Sequence, residues 1–345
     1  MKPGMPQHIF TRTLLQWFAR HGRELPWRGT RDPYAIWLSE VILQQTRVDQ
    51  GRDYWERFMR RFPTVEALAA AGEDEVMRLW QGLGYYSRAR HLHAAARQVA
   101  AMGRFPDSYD ALLSLPGVGA YTAAAVASIA FNRPHAVVDG NVYRVLARYF
   151  GITTAVGTTA ARKEFQALAQ ELLPAGQASA FNQAMMDFGA VQCVPVSPRC
   201  DACPLHETCH ALRHGRVKDL PVKQRKVAVK TRRMACVYVR CDGMTALRRR
   251  PAGDIWQGLW EPLMVEDAPL PPLEGRLTQL AAGVRHVLTH RVILADFYLL
   301  EAERRPPLPA GYQWVPEDRL DDYAVPRLVE LLYSKINNMK DGHTQ

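Results

Sequence analysis

The chain has 345 residues, of which 48% are hydrophobic and 23% charged; that is enough for two domains with sizeable cores and is ordinary for a water-soluble globular protein. There is no run of about 18 apolar residues, so neither a membrane span nor a membrane partner is expected, and the start carries no apolar signal core or small-residue cleavage site, which makes a cytoplasmic location the expectation. A net charge of +10, from 44 Lys and Arg against 34 Asp and Glu, admits a polyanionic partner and by itself specifies nothing further.

From about Gln7 to Leu212 the sequence reads as successive amphipathic helices. TRTLLQWFARHG, YAIWLSEVILQQTRV, DEVMRLWQGL, ARHLHAAARQVAAM and AYTAAAVASIAF repeat apolar residues at helical spacing, with Pro and Gly punctuating them. The basic, proline-containing stretch Arg213 to Arg233 reads as a linker. Beyond it MACVYVRC, TALRRR, RVILADFYLL and YQWV read as strands, and DDYAVPRLVELLYSKI as a closing helix. The expected organisation is an all-α domain over 1–212, a linker over 213–233 and a smaller α+β domain over 234–345.

Four places carry chemistry. Glu40, in YAIWLSEVILQQT, has Ile36, Trp37 and Leu43 as helical neighbours. Buried there, a carboxyl would hold its proton and suit a general acid; at the edge of the stripe it would be an ordinary solvated glutamate. In LSLPGVGAYTAAAVASIAF one helix ends at about Leu115, a tight turn Pro116-Gly117-Val118-Gly119 follows, and a second helix begins, with Leu115, Gly117, Val118 and Gly119 as candidate DNA-binding positions. The bare backbone N–H groups of the turn could bind a phosphate, or it is simply a glycine-containing helix turn. Asp139, in AVVDGNVYRVLARYF, falls at a helix start, where the dipole and free N–H groups favour its ionised form. It is a cap, a catalytic anion, or both. Finally, Cys193, Cys200, Cys203 and Cys209 follow a C-x6-C-x2-C-x5-C spacing and are four of the chain's six cysteines. Four thiolates in one loop can enclose an iron–sulfur cluster or a zinc ion, whereas a disulfide framework belongs to smaller secreted domains.

Together these residues resemble the MutY-type adenine DNA glycosylases of the helix-hairpin-helix, endonuclease III-like superfamily. The matching segments are LPWR, WLSEVILQQTRV, GLGYYSRARHL, LPGVGAYTA, VDGNVYRVLAR, FNQAMMDFGAVQC and the cysteine loop. The resemblance implies an all-α helix-hairpin-helix glycosylase domain with a [4Fe–4S] loop, followed by a smaller α+β MutT/nudix-like domain. It implies a bacterial, nucleoid-associated, monomeric enzyme acting on double-stranded DNA, excising adenine mispaired with 8-oxoguanine or guanine. Glycosylase/lyase relatives carry a catalytic lysine where this chain has Tyr121, so base release by water without a Schiff base is implied. By the same resemblance Glu40 protonates adenine N7, Asp139 stabilises the oxocarbenium-like sugar, and Tyr121 and Asn141 line the pocket. Arg28 contacts the base, and Gln45 and Tyr85 wedge into the opposite strand, although Tyr85 could equally be core packing. Cys193, Cys200, Cys203 and Cys209 hold the cluster.

The C-terminal part resembles a nudix fold at RRRPAGDIWQGLWEPL. It has no helix with the paired glutamates a nudix hydrolase needs for Mg²⁺, so pyrophosphohydrolase activity is not expected. Where the family reads 8-oxoguanine with a Phe-Ser-His turn, this chain has Leu288-Thr289-His290, leaving Thr289 and His290 as the implied lesion contacts. Trp256 and Trp260 are a stacking surface or core. Two other classes stay open at this stage: a glycosylase/lyase for oxidised pyrimidines, and a non-catalytic iron–sulfur DNA-binding protein.

Overall fold

The computed structural model describes residues 5–224, 230–288 and 291–342. Thr289 and His290, the implied lesion contacts, lie outside the described residues. Two compact units form, Met1–Ala69 with Ala94–Arg225, and Ala70–His93 with Lys226–Gln345. The chain order of helices is α1 Met5–His21, α2 Pro33–Ile42, α3 Val48–Arg61, α4 Val65–Ala70, α5 Glu73–Trp80, α6 Ser87–Met102, α7 Tyr109–Leu113, α8 Ala120–Phe131, α9 Gly140–Phe150, α10 Thr159–Leu172, α11 Ala178–Asp187, α12 His210–Arg213 and α13 Arg327–Gly342.

In the first unit, α8 is the central helix. Its residues Thr122 to Ala130 are all buried, most of them small, and it packs against α2, α7 and α11. A helix apolar on every side belongs in a core, and its small side chains let the neighbouring backbones come close. α2 begins at Asp32, whose side chain accepts from the Tyr34 N–H at 3.0 Å, with Pro33 in the first turn. The single helix expected over YAIWLSEVILQQTRV is instead two. It stops at Ile42, turns through Gln45 at φ +57°, and restarts at Val48. Gln44 donates to Thr122 Oγ1 at 3.2 Å and the Thr46 N–H closes onto the Leu43 carbonyl, so tertiary contacts override helix propensity there.

A second core gathers Phe10 and Leu14 of α1, Val142, Val145 and Leu146 of α9, Phe165 of α10 and Phe181 and Met185 of α11. Leu220 is buried in the same core and Val217 and Val222 pack on it, while Arg148 donates to the Leu220 carbonyl at 3.0 Å. The stretch after Arg213, whose basic composition reads as a linker, is therefore packed against the helices at least through Val222. Apolar residues at every few positions anchor it, and charge composition did not reveal them.

The second unit is built on a seven-stranded mixed sheet: β1 Lys230–Cys241, β2 Met244–Arg249, β3 Trp260–Glu261, β4 Leu263–Glu266, β5 Arg276–Val287, β6 Arg291–Glu301 and β7 Tyr312–Pro316. The order is β3-β2-β1-β6-β5, with β1 and β6 parallel and β5 and β6 antiparallel. Leu328, Leu332 and Ile336 of α13 pack on Cys236, Tyr238, Ala295 and Phe297 of one face. The closing helix starts at Arg327, later than the sequence pattern suggests; Pro326 pushes its predecessor out of helical conformation. β5 was not legible as a strand. It carries register shifts at Gln279/Ala281 and Ala281/Val284, and such bulges scramble the alternation that marks a strand. The all-α domain followed by an α+β domain is thus the architecture observed.

Candidate active site

A cavity of about 190 Å³ in the first unit collects Arg23, Arg28, Glu40, Tyr121, Asp139 and Asn141 among its lining residues. Each element supplies its side chain for a local reason. Glu40 lies on the apolar stripe of α2 and is 9% exposed, so the buried reading of that residue is the one realised. Tyr121, on the first turn of α8, hydrogen-bonds to Glu40 and sits 3.6 Å from Met186 Sδ of α11. Asp139 is the N-cap of α9: its Oδ1 accepts from the Val142 N–H and its Oδ2 from Asn141 Nδ2, both at 2.8 Å.

The two carboxyls are not equivalent. Burial pushes Glu40 up to about 7; the Tyr121 hydrogen bond and the Arg28 charge oppose this and Asp139 adds to it. Asp139 is also raised, chiefly by burial, in contrast to the expectation that the helix start alone would keep it low. The Val142 and Asn141 donors and the Arg144 charge pull it back down. With more donors on Asp139 than on Glu40, a proton shared by this pair resides on Glu40.

Three groups of residues at this site escaped the sequence reading. From α11, Gln183 and Met186 line the cavity and Asp187 lies behind it, fully buried. Arg28, expected at the base, is gripped by Asp187: Nη2 donates to Oδ1 at 2.8 Å and Nη1 to Oδ2. Arg23 donates to the same carboxylate from its backbone N–H at 2.8 Å and its Nε at 2.7 Å. From α9, Arg144 donates to Asn141 Oδ1 at 2.7 Å, Gly189 O at 2.6 Å and Cys193 O at 2.7 Å. Arg148, one turn on, donates to the carbonyls of Val194 and Pro195 and approaches Cys193 Sγ at 3.4 Å. The α9 arginines thereby tie the Asp139–Asn141 pair to the cysteine loop. Gly189 sits in a π-helical turn, Phe188–Gln192, where a Cβ would lie 2.6 Å from Asn141 Cβ; only glycine allows that approach. The available signal was spacing: Gln183 and Asp187, and Arg144 and Arg148, are i,i+4 pairs on helices flanking a recognised motif.

The turn before α8 splits in two. Leu115 and Val118 are buried at 2% and 6%, so their side chains anchor the turn from inside. Gly117, at φ +73°, and Gly119, the N-cap of α8, are exposed, and only backbone is presented outward. Gln45 is exposed, and so is Tyr85, at 45%. Both are left-handed, at φ +57° and +48°, a conformation that side-chain-bearing residues adopt rarely and that concentrates at functional sites.

Cys193, Cys200, Cys203 and Cys209 are unbridged and line one small cavity with Arg148. Among the described residues no three of His, Cys, Asp and Glu converge closely enough to hold a single metal ion. Burial raises the thiols of Cys200, Cys203 and Cys209, that of Cys203 to about 11, and each neighbouring thiolate adds to the rise. With Cys193 lining the same cavity, the donor set is four sulfurs, which suits a soft, sulfur-ligated metal centre.

The second unit holds a larger cavity of about 620 Å³, lined by Tyr85, Arg90, Trp256, His286, Val287 and Arg291 among others. Trp256, left-handed at φ +61°, has the Arg250 guanidinium over its ring at 5.7 Å and the His286 ring tilted against it at 5.9 Å, and packs partly on the sheet core. Trp260 does not line this cavity; it stacks edge-on against Tyr323.

Residues 38–174 match the HhH-GPD superfamily of base excision DNA repair proteins, and residues 234–335 match the NUDIX domain. A thermostable thymine-DNA glycosylase of known structure superposes with a TM-score of 0.58 at 33% identity, over 62% of this chain and 100% of that one. The class is thus a helix-hairpin-helix base excision repair enzyme. The chain is 32% identical over 259 residues to the adenine DNA glycosylase of Buchnera aphidicola subsp. Acyrthosiphon pisum (strain APS), covering 74% of each. It is 42% identical over 242 residues to that of Rattus norvegicus, covering 64% of this chain and 47% of the rat protein. The chain belongs to the adenine DNA glycosylase family.

Proposed function

We propose that the chain is a monofunctional glycosylase that hydrolyses the N-glycosidic bond of adenine mispaired with 8-oxoguanine or guanine in double-stranded DNA. The observation that carries this is the pairing, in one small cavity, of a buried Glu40 pushed up to about 7 with an Asp139 capped by N–H donors. An adenine flipped from the duplex enters the cavity. Glu40 donates its proton to N7, and the ionised Asp139 stabilises the positive charge that develops on the sugar. Water then attacks the anomeric carbon, because the cavity presents the Tyr121 hydroxyl where a lyase needs an amine. Asn141 and Arg28 complete the cavity wall. The exposed backbone at Gly117 and Gly119 holds phosphate without reading sequence.

Cys193, Cys200, Cys203 and Cys209 would hold a [4Fe–4S] cluster, and its contribution is structural: it closes the loop that Arg144 and Arg148 tie to the catalytic pair. Lesion discrimination belongs to the second unit: Tyr85 and the arginine-flanked cavity meet the strand opposite adenine, and the resemblance assigns the lesion contacts to Thr289 and His290, outside the described residues. A single-turnover assay on A:8-oxoguanine and A:G duplexes, with alkali converting abasic sites to breaks, tests the whole reading. Excision without a borohydride-trapped adduct is expected, falling as pH rises through about 7, where Glu40 loses its proton. An adduct would replace the reading with a lyase mechanism.

A further inference from the structure

Asp187 lies outside the cavity lining, yet it is fully buried and accepts from Arg23 and Arg28 of the segment before α2. The Arg28 side chain is only 13% exposed, and it lines the same cavity as Glu40. A guanidinium so poorly hydrated must be paired, and a carboxylate is the partner that holds it most strongly. Three are at hand: Asp187 behind the wall, and Glu40 and Asp139 in front of it.

We propose that Asp187 is a positioning residue that commits the Arg28 guanidinium to the cavity wall and so keeps it from pairing with Glu40, the general acid. The inference rests on the catalytic role assigned to Glu40 above. The geometry supports it directly. Asp187 offers both oxygens to Arg28 in a two-point grip, the arrangement in which an arginine is held most firmly in direction as well as charge. Arg23 donates to both oxygens of the same carboxylate, so the anion cannot swing away. The charged and titratable groups that share the cavity with Glu40 are Arg23 and Arg28 from the segment before α2, Tyr121 from α8 and Asp139 from the start of α9; α11 contributes the uncharged Gln183 and Met186. Arg28 is thus a cation whose release would turn Glu40 from a proton donor into one half of an ion pair. Its influence on Glu40 is already in the proton-releasing direction while it is held by Asp187.

The test is the titration of Glu40 in the DNA-free protein by ¹³C-carboxyl NMR, with Glu40→Gln identifying the resonance. In Asp187→Asn the midpoint is expected to fall by about one to three pH units, the effect of a newly adjacent opposite charge, and Asp187→Asn with Arg28→Met should restore it. The pH at which excision declines should move down in step. An unchanged midpoint in folded Asp187→Asn, or a midpoint that stays low in the double variant, overturns the proposal. If Asp187→Asn does not fold, Arg28→Lys keeps both charges but loses the two-point grip; a fall of the Glu40 midpoint there supports the proposal, and a midpoint at or above the wild-type value overturns it. Because the titration needs no turnover, it answers for Asp187 even if Glu40→Gln retains full excision and the catalytic reading itself fails.

Discussion

The small cavity of the first unit and the large one of the second are built on opposite principles. In the first, Glu40 is buried, Asp139 is half-buried and capped by the Val142 N–H, and the arginines of α9 are engaged by Asn141 and backbone carbonyls. In the second, the cavity is about three times larger and its apolar edges stand in solvent, with Tyr85 45% and Val287 55% exposed. Burial is what moves protons onto carboxyls; exposed aromatics flanked by cations are what stack on and follow a nucleic acid strand. One cavity suits bond breaking and the other suits recognition.

Removing the acid or the anion breaks the first cavity outright. Asp139→Asn and Glu40→Gln are each expected to lower single-turnover excision by about 10²–10⁴-fold, the worth of a positioned acid–base group, with mismatch affinity by fluorescence anisotropy preserved. Normal excision by either variant removes that residue from the mechanism. Cys200→Ala attacks the support beneath it: the visible absorption of an iron–sulfur centre should disappear and the melting temperature fall, since metal binding and folding free energy are shared. An anaerobically prepared protein that is colourless and carries stoichiometric zinc would defeat the cluster assignment.

A quieter prediction concerns the cost of the buried acid. Glu40 is held near 7 in the fold against an ordinary 4.5, so the folded state binds the proton more tightly than the unfolded chain. Stability is therefore lost as pH rises from about 4.5 to about 7, and the full penalty, at most about 3 kcal/mol, is present at pH 8. Glu40→Gln should melt higher than the wild type at pH 8 and show no such advantage at pH 4; equal differences at both pH values would mean that Glu40 is not held protonated. The smallest effect belongs to the second cavity. Tyr85→Ala should weaken binding of the mismatched duplex by about 1–3 kcal/mol, the worth of one stacked base, while excision at saturating enzyme keeps its rate. A loss of rate without loss of affinity would reassign Tyr85 to the catalytic step.

Much of this was readable along the chain because it depends on short-range order. Asp139 as a cap, the glycine turn before α8, α8 itself and the clustering of four cysteines are set by neighbours within a few residues, where helix period, capping and turn chemistry act. Glu40 was legible as a carboxyl on an apolar stripe, but whether its head reached water depended on α8 covering it. The break in the helix at Gln45, the packing of Leu220 beneath a basic stretch and the bulged strand β5 were hidden because each answers to partners distant in sequence. The same holds for the arginines. Arg28 is marked only by the resemblance of its LPWR segment, and nothing local distinguishes Arg144 or Arg148 from the other basic residues of a chain with 44 of them. Only the fold removes these from water, and a buried guanidinium must then find its carbonyls and carboxylates; the tertiary structure chose Asp187, Asn141 and the cysteine loop.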